Sequence, residues 1–195
     1  MYMNTHTSAL INGLQEKTRN LISKATYLLN LTEETLKQRP ATGGWNALEC
    51  MEHLNRYGDF YLPEIRKRIE QSPFPPASTF KPGVLGNYFV KSMEPKEGTK
   101  KMKTFKDKDP IHTTLDKQSI KTFIEQQQEM LALLQSARGV DLNRTKTAIS
   151  ITKLITLKLG DTFRFVITHN ERHMAQALAT QPAIKMDRMA TTTGN

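Results

Sequence analysis

His169-Asn170-Glu171-Arg172-His173 is the stretch that decides how the chain is read. Residues four apart lie on one helical face, one turn above the other. His169 and His173 therefore aim two imidazoles at one point, and imidazole is the commonest protein ligand for divalent transition metals. Two ligands on one helix hold a metal weakly, so a third has to come from elsewhere. The chain has five histidines, at 6, 53, 112, 169 and 173. Apart from the pair, only His53 lies in a strongly amphipathic, helix-forming segment. His112 stands in a polar loop with no ligand at helical spacing and reads as a surface residue.

Around the pair, Phe163, Val166, Ile167, Met174, Ala177 and Leu178 give one helix its apolar side. Asp161, after Gly160, is its expected N-cap, and Pro182 follows its end near Thr180. The tail 183–195 is polar and expected to be flexible. At the other end, residues 1–7 read as frayed and Ser8 as the cap of a first helix. Its Leu10, Leu14, Leu21, Ala25 and Leu28 form a stripe of helical period. A further turn at 32–35 precedes Pro40. The breaker run 40–44 leads to Trp45 and to Asn46, a good N-cap. A second helix then runs to about Gln71, carrying Leu48, Met51, Leu54, Tyr61 and Ile65, and Pro63 predicts a kink or a restart within it. Trp45 reads as a core plug at the mouth of this helix in preference to a ligand platform. A third helix opens at Asp116 or Ser119 and closes with Arg138-Gly139, a basic last turn and a glycine cap.

Residues 72–114 hold six of the nine prolines and the run Lys96, Lys100, Lys101, Lys103, Lys106 and Lys108. A connection this long is a lid, an interaction arm or a mobile linker. Its lysines read as a solvated face, with contact to an anionic substrate or partner as the sharper alternative. Val84, Leu85, Tyr88, Phe89 and Val90 predict a short helix packed on the rest. Residues 140–159 are ambiguous. Ile149, Ile151, Ile155, Leu157 and Leu159 alternate like a strand, but the expectation adopted is a short helix or an extended arm. Four long amphipathic segments make the fold class all-α, a four-helix bundle with a long connection between helices two and three. One domain over 1–182, with a Pro/Lys-rich insertion at about 72–114, accounts for the length of 195 residues.

Composition narrows the function. The single cysteine, Cys50, excludes an intramolecular disulfide, suits a reducing cytosol and sits where a thiol is usually inert. The chain shows no signal peptide and no run of about 20 apolar residues, so the expected location is cytoplasmic and no membrane partner is expected. The net charge of +9 permits nucleic acid as a partner, but the lysines are scattered and no docking motif accompanies them.

In a four-helix bundle, metal sites form from side chains on facing helices. His53 from the second helix, with His169 and His173 from the fourth, is such a set. Three imidazoles leave a coordination position for water or substrate, the layout of a catalytic site in preference to a closed structural one. A histidine pair at this spacing also arises by chance, and a buried histidine is commonly just hydrogen-bonded. The metalloprotease pattern His-Glu-x-x-His is not met, because Asn170 holds its second position and Glu171 the third.

Trp45-Asn46-Ala47-Leu48-Glu49, then His53-Leu54, and later His169-Asn170-Glu171-Arg172-His173-Met174-Ala175-Gln176 together resemble the DinB-like superfamily of four-helix bundle proteins. Its pattern is a Trp with a small polar residue after it, a Glu before the first His, and a closing His-x-x-x-His-x-x-Gln. The resemblance implies a metal triad of His53, His169 and His173, holding nickel, zinc or iron, often in a homodimer. Some relatives act as thiol S-transferases or isomerases that use small thiols such as mycothiol or bacillithiol. The function expected from it is a divalent-metal-dependent enzyme, a thiol S-transferase or a related metal-assisted hydrolase. A fold does not dictate a reaction, so a second hypothesis stands beside it: a non-catalytic metal- or partner-binding bundle that uses the basic 81–108 arm. No residue is assigned a catalytic role. Trp45, Glu49, Tyr57 and Arg172 are candidates for the surroundings of the metal or the pocket, and Arg172 is expected to bridge to Glu49.

Overall fold

A computed structural model of the chain describes residues 4–41, 43–94, 104–111, 113–150 and 152–181. It is mostly helical. Four long helices carry the core: α1 (Thr7–Leu29), α3 (Ala47–Glu70), α5 (Gln118–Ser136) and α6 (Leu159–Ala179), with a single turn, α2 (Glu33–Leu36), after the first. α1 packs on α5 and α6, and α3 packs on the same two. Each long helix thus buries its apolar stripe against two others. Ile11, Leu21, Leu28, Leu48, Met51, Leu54, Ile65, Phe123 and Phe163 fill the space between them and are almost wholly buried. No described helix is long and apolar enough to cross a membrane.

The start of α3 is set by its sequence. Asn46 Oδ1 accepts from the Glu49 backbone N–H (2.9 Å), and Glu49 Oε2 accepts from that of Asn46 (3.0 Å). This reciprocal box satisfies two otherwise orphaned donors. α3 then runs unbroken through Pro63, so no restart occurs there; the proline forfeits one backbone bond that tertiary packing outweighs. Beside it Gly58 leaves room for Gln126 of α5, which donates to the Asn55 carbonyl and to Asp59.

The insertion contributes a helix, α4 (Val84–Met93), which packs on α6 with Val90 buried and Phe89 against Phe165, whereas Val84, Leu85 and Tyr88, expected in that packing, are exposed. Two short antiparallel pairs complete the fold: β1 (Thr5–His6) with β2 (Thr79–Phe80), and β3 (Lys146–Ile149) with β4 (Thr152–Lys158). The first shows that residues 5–6 are not frayed; α1 begins at Thr7, one residue before the expected cap. The second corrects the reading of 140–159 as a short helix or arm. Thr147, Ile149, Thr152, Ile155 and Thr156 are β-branched and favour the pleated surface. The hairpin is fastened to α3, where Glu64 Oε1 accepts from the Ala148 N–H at 2.7 Å. His112, most of the lysine run (Lys96, Lys100, Lys101 and Lys103) and the tail 183–195 lie outside the described residues.

Asp161 is not the cap of α6. The helix starts two residues earlier, and Asp161 is buried in its first turn, where it accepts from Gly83 N–H (2.8 Å) and Arg164 Nη1 (3.0 Å). Gly86 of α4 lies so close that a Cβ there would run into the carboxylate. Burial pushes this carboxyl above its usual range, against the pull of the Gly83 bond and Arg164. The residue is a latch that seats α4 on α6. Asp161→Ala should lower stability by about 2–3 kcal/mol, since it strands the Gly83 donor and a partly buried guanidinium. A lower urea midpoint at unchanged slope would show this; no change would mean that α4 is held by its apolar contacts alone.

Candidate metal centre

His53 lies two turns into α3, at a height fixed by the Asn46–Glu49 box. His169 and His173 lie one turn apart on α6. One ligand atom from each of the three falls within 4.8 Å of the others. His53 and His169 are almost fully buried, at 3% and 4% exposure, and their Nε2 atoms are 3.3 Å apart. His53 Nδ1–H donates to the Lys108 carbonyl at 2.8 Å, and His173 Nδ1–H donates to Gln176 Oε1 at 3.0 Å. Each bond fixes a tautomer that leaves Nε2 as a lone-pair donor.

Protonation points the same way. Burial, the largest influence, lowers His53 to about 4, opposed by its bond to the Lys108 carbonyl. Burial and the neighbouring His53 lower His173 to about 3, opposed by Gln176. Burial holds His169 well below its ordinary value, with His173, His53 and Arg172 adding repulsion. All three rings are therefore neutral at pH 7, the state that binds metal. Without a cation, the 3.3 Å separation lets His169 Nε2–H donate to the His53 Nε2 lone pair, and a bound cation would take that proton's place. A tetrahedral ion with bonds of about 2.0–2.1 Å separates its donors by roughly 3.3 Å, so the residues present fit a transition metal.

The three rings form the floor of a cavity of about 830 Å³. Tyr57, Tyr61, Phe165, Tyr88, Phe89 and Phe105 supply most of its aromatic lining. Tyr88 and Phe105 are largely exposed and mark where it opens. Trp45 also lines it: its ring lies 4.6 Å from that of His53, and its Nε1–H donates to Asp109 Oδ1 at 3.2 Å. The tryptophan is thus a cavity wall as well as a neighbour of the core. Phe165 stacks parallel to His169, one turn away.

Of the four residues expected around the metal, Trp45, Tyr57 and Arg172 reach the cavity and Glu49 does not. Glu49 spends one oxygen on the α3 cap and the other on Arg39 (2.6 Å), so the expected bridge from Arg172 is absent; Arg172 donates instead to the Ser92 carbonyl at 3.3 Å. Glu171 points away and pairs with Lys17 of α1 at 2.7 Å. Cys50 is buried, burial raises its thiol far above the usual range, and it does not line the cavity. Two supporting groups escaped the sequence reading. Gln176 was visible as the last residue of the His-x-x-x-His-x-x-Gln pattern, three positions from its histidine. The Lys108 carbonyl left no trace, because a backbone acceptor is supplied by every residue.

No curated protein and no solved structure matches the chain. The family model of the DinB superfamily matches residues 16–177, from the first long helix through the one that bears the histidine pair. The chain belongs to the DinB superfamily.

Proposed function

We propose that this protein is a metal-dependent enzyme, built as a single four-helix-bundle domain, in which His53, His169 and His173 hold nickel, zinc or iron and the cavity binds a small thiol and its electrophilic acceptor. The observation that carries this is the position of the three neutral imidazoles on the floor of an aromatic cavity. A divalent ion bound there supplies a Lewis acid that favours the deprotonated form of a thiol. The chain's residues do the rest. Lys108 and Gln176 hold two rings in the ligating tautomer. Trp45 and Phe165 wall off water. Burial pushes the Tyr57 phenol up to about 12, so at pH 7 it is a hydrogen-bond donor available to a reactant. Hydrolysis at the same centre is the neighbouring reading.

The alternative, a scaffold working through its basic arm, is less well supported. The described part of that arm folds onto the site: Lys106 lines the cavity, and Lys108 Nζ donates to the Arg56 carbonyl at 3.0 Å. To test the proposal, protein loaded with each metal is mixed with bacillithiol, mycothiol, coenzyme A or cysteine and 1-chloro-2,4-dinitrobenzene. In parallel it is mixed with p-nitrophenyl acetate alone. Metal-dependent thiol consumption that falls to background in His169→Ala is expected. Rates equal to that variant in every assay would overturn the catalytic reading.

We also propose a cytoplasmic homodimer. Val84 and Tyr88 on α4 and Leu154 in the irregular stretch of β4 are 77%, 66% and 93% exposed, on two elements that touch each other; exposed apolar side chains on adjoining elements mark association surfaces. Light scattering should give twice the chain mass, and Val84→Glu combined with Leu154→Lys should give the monomer. A wild-type monomer at every concentration would refute it.

A further inference from the structure

We infer that Arg172 is an anion receptor, and that the cavity accepts a small molecule made of a ring-sized apolar body and one anionic group. This rests on the reading of the cavity as the reactant site. Five arginines of the helical body each face a carboxylate: Arg39 with Glu49, Arg56 with Glu52, Arg66 with Glu129, Arg68 with Glu64 and Arg164 with Asp161. Arg19, Arg138, Arg144 and Arg172 show no such partner among the described residues, and of these four only Arg172 lines the cavity. It is half-buried, lines the cavity next to His173, and is shown with one hydrogen bond, to the Ser92 carbonyl. Most of its five donors remain for something else.

Little among the described residues of the lining offsets that charge. Among the described residues lining it, Asp109 alone carries a carboxylate, and one of its oxygens already accepts from Trp45 Nε1 and the Ile111 N–H. Lys106 adds a second cation to the lining. The histidines are neutral donors and would not offset the charge of an ion they hold. A planar guanidinium fork matches carboxylate, phosphate or sulfonate oxygens two at a time, and the low-dielectric aromatic surroundings strengthen such a pair. Ring faces make up much of the remaining lining, beside Met93, Ile149 and Leu157, and favour a flat apolar body, and a volume of about 830 Å³ is that of a small-molecule site. A purely structural role, with Arg172 tying down the end of α4 through Ser92, is the competing explanation.

Calorimetric titration separates the two. The probes are naphthalene-1-sulfonate, the neutral naphthalene-1-methanol and the ringless methanesulfonate. Wild-type protein should bind the first at least about tenfold more tightly than either of the others. Arg172→Met should reduce the preference for the sulfonate over the neutral alcohol to near unity while metal content and binding of the alcohol stay within about twofold. Arg172→Lys, which keeps the charge without the fork, should fall between. Equal binding of anion and alcohol by the wild type, or a preference that survives Arg172→Met, would overturn the inference; so would a variant with lowered stability but unaltered preference. The same titrations on metal-free protein keep the two readings apart. Anion preference without metal binding sinks only the metal proposal, and metal binding without anion preference sinks only the Arg172 subsite.

Discussion

Protein purified without a histidine tag should carry about one transition-metal ion per chain, and His53→Ala and His173→Ala should each carry almost none. The expectation follows from the donor set. No carboxylate or thiolate stands among the three ligands, so all the affinity comes from neutral nitrogen lone pairs, and loss of one leaves a two-point site. Gln176→Ala gives a graded comparison. It leaves every ligand in place but frees the His173 ring to turn and to exchange tautomers, and loss of such an orienting partner weakens metal binding by about 10–100-fold. His6→Ala is the control, because His6 lies in β1 at the surface, far along the chain from the set. Elemental analysis, followed by competition with a chelator, reads all four variants, and circular dichroism confirms that each still folds. Full metal content in His53→Ala would show that the ion, if any, sits elsewhere.

What could be read in the chain beforehand was whatever depends on spacing within one helix. The stripes of α1, α3, α5 and α6 and the shared face of His169 and His173 follow from a 3.6-residue period, and the Asn46 cap from an amide side chain three residues before Glu49. What could not be read depends on pairing between distant segments. The β3–β4 hairpin was visible as alternation in Ile149, Ile155 and Leu157, but its competitor was settled only by Glu64 and Thr162, which hold it from two other helices. Asp161 looked like a cap because it follows a glycine; its buried place is set by Gly83 and Gly86, more than seventy residues earlier. Arg172 was assigned to Glu49 on charge alone, whereas Arg39, ten residues from Glu49, reaches it first. Residues 104–109 show the limit most clearly. As sequence they are part of a basic connection. In the fold they carry Phe105 and Lys106 to the cavity, the Lys108 carbonyl to His53 and Asp109 to Trp45, so the connection completes the site that two helices begin.

Metal-free protein should become steadily less stable as pH falls from about 6.5 to about 4, and the three histidines should be responsible. The unfolded chain takes up protons at these rings near the ordinary value of 6.5, whereas the folded chain holds His53 down to about 4 and His173 to about 3. Within that window the unfolded state binds more protons, so stability rises with pH, by about 1.4 kcal/mol per pH unit for each ring. Above 6.5 both states are neutral and the effect vanishes; below the folded values both are charged and it levels off. For His53 alone the integrated loss is on the order of 3 kcal/mol, a large part of the roughly 5–15 kcal/mol that holds a domain together. Carboxylates also titrate at the acid end of this range, so the informative quantity is a difference. Urea midpoints of metal-free wild type and His53→Leu, followed from pH 7.5 to 4.5, should diverge in slope by about one ring's contribution. Equal slopes would mean that His53 titrates as a solvated imidazole. A bound ion uses the same lone pairs that protons attack, so added metal should raise the midpoints most at neutral pH, and its benefit should fade as acid displaces it. Acid release of the metal and acid loss of stability would then be two readings of one event, the protonation of three rings that the fold keeps neutral.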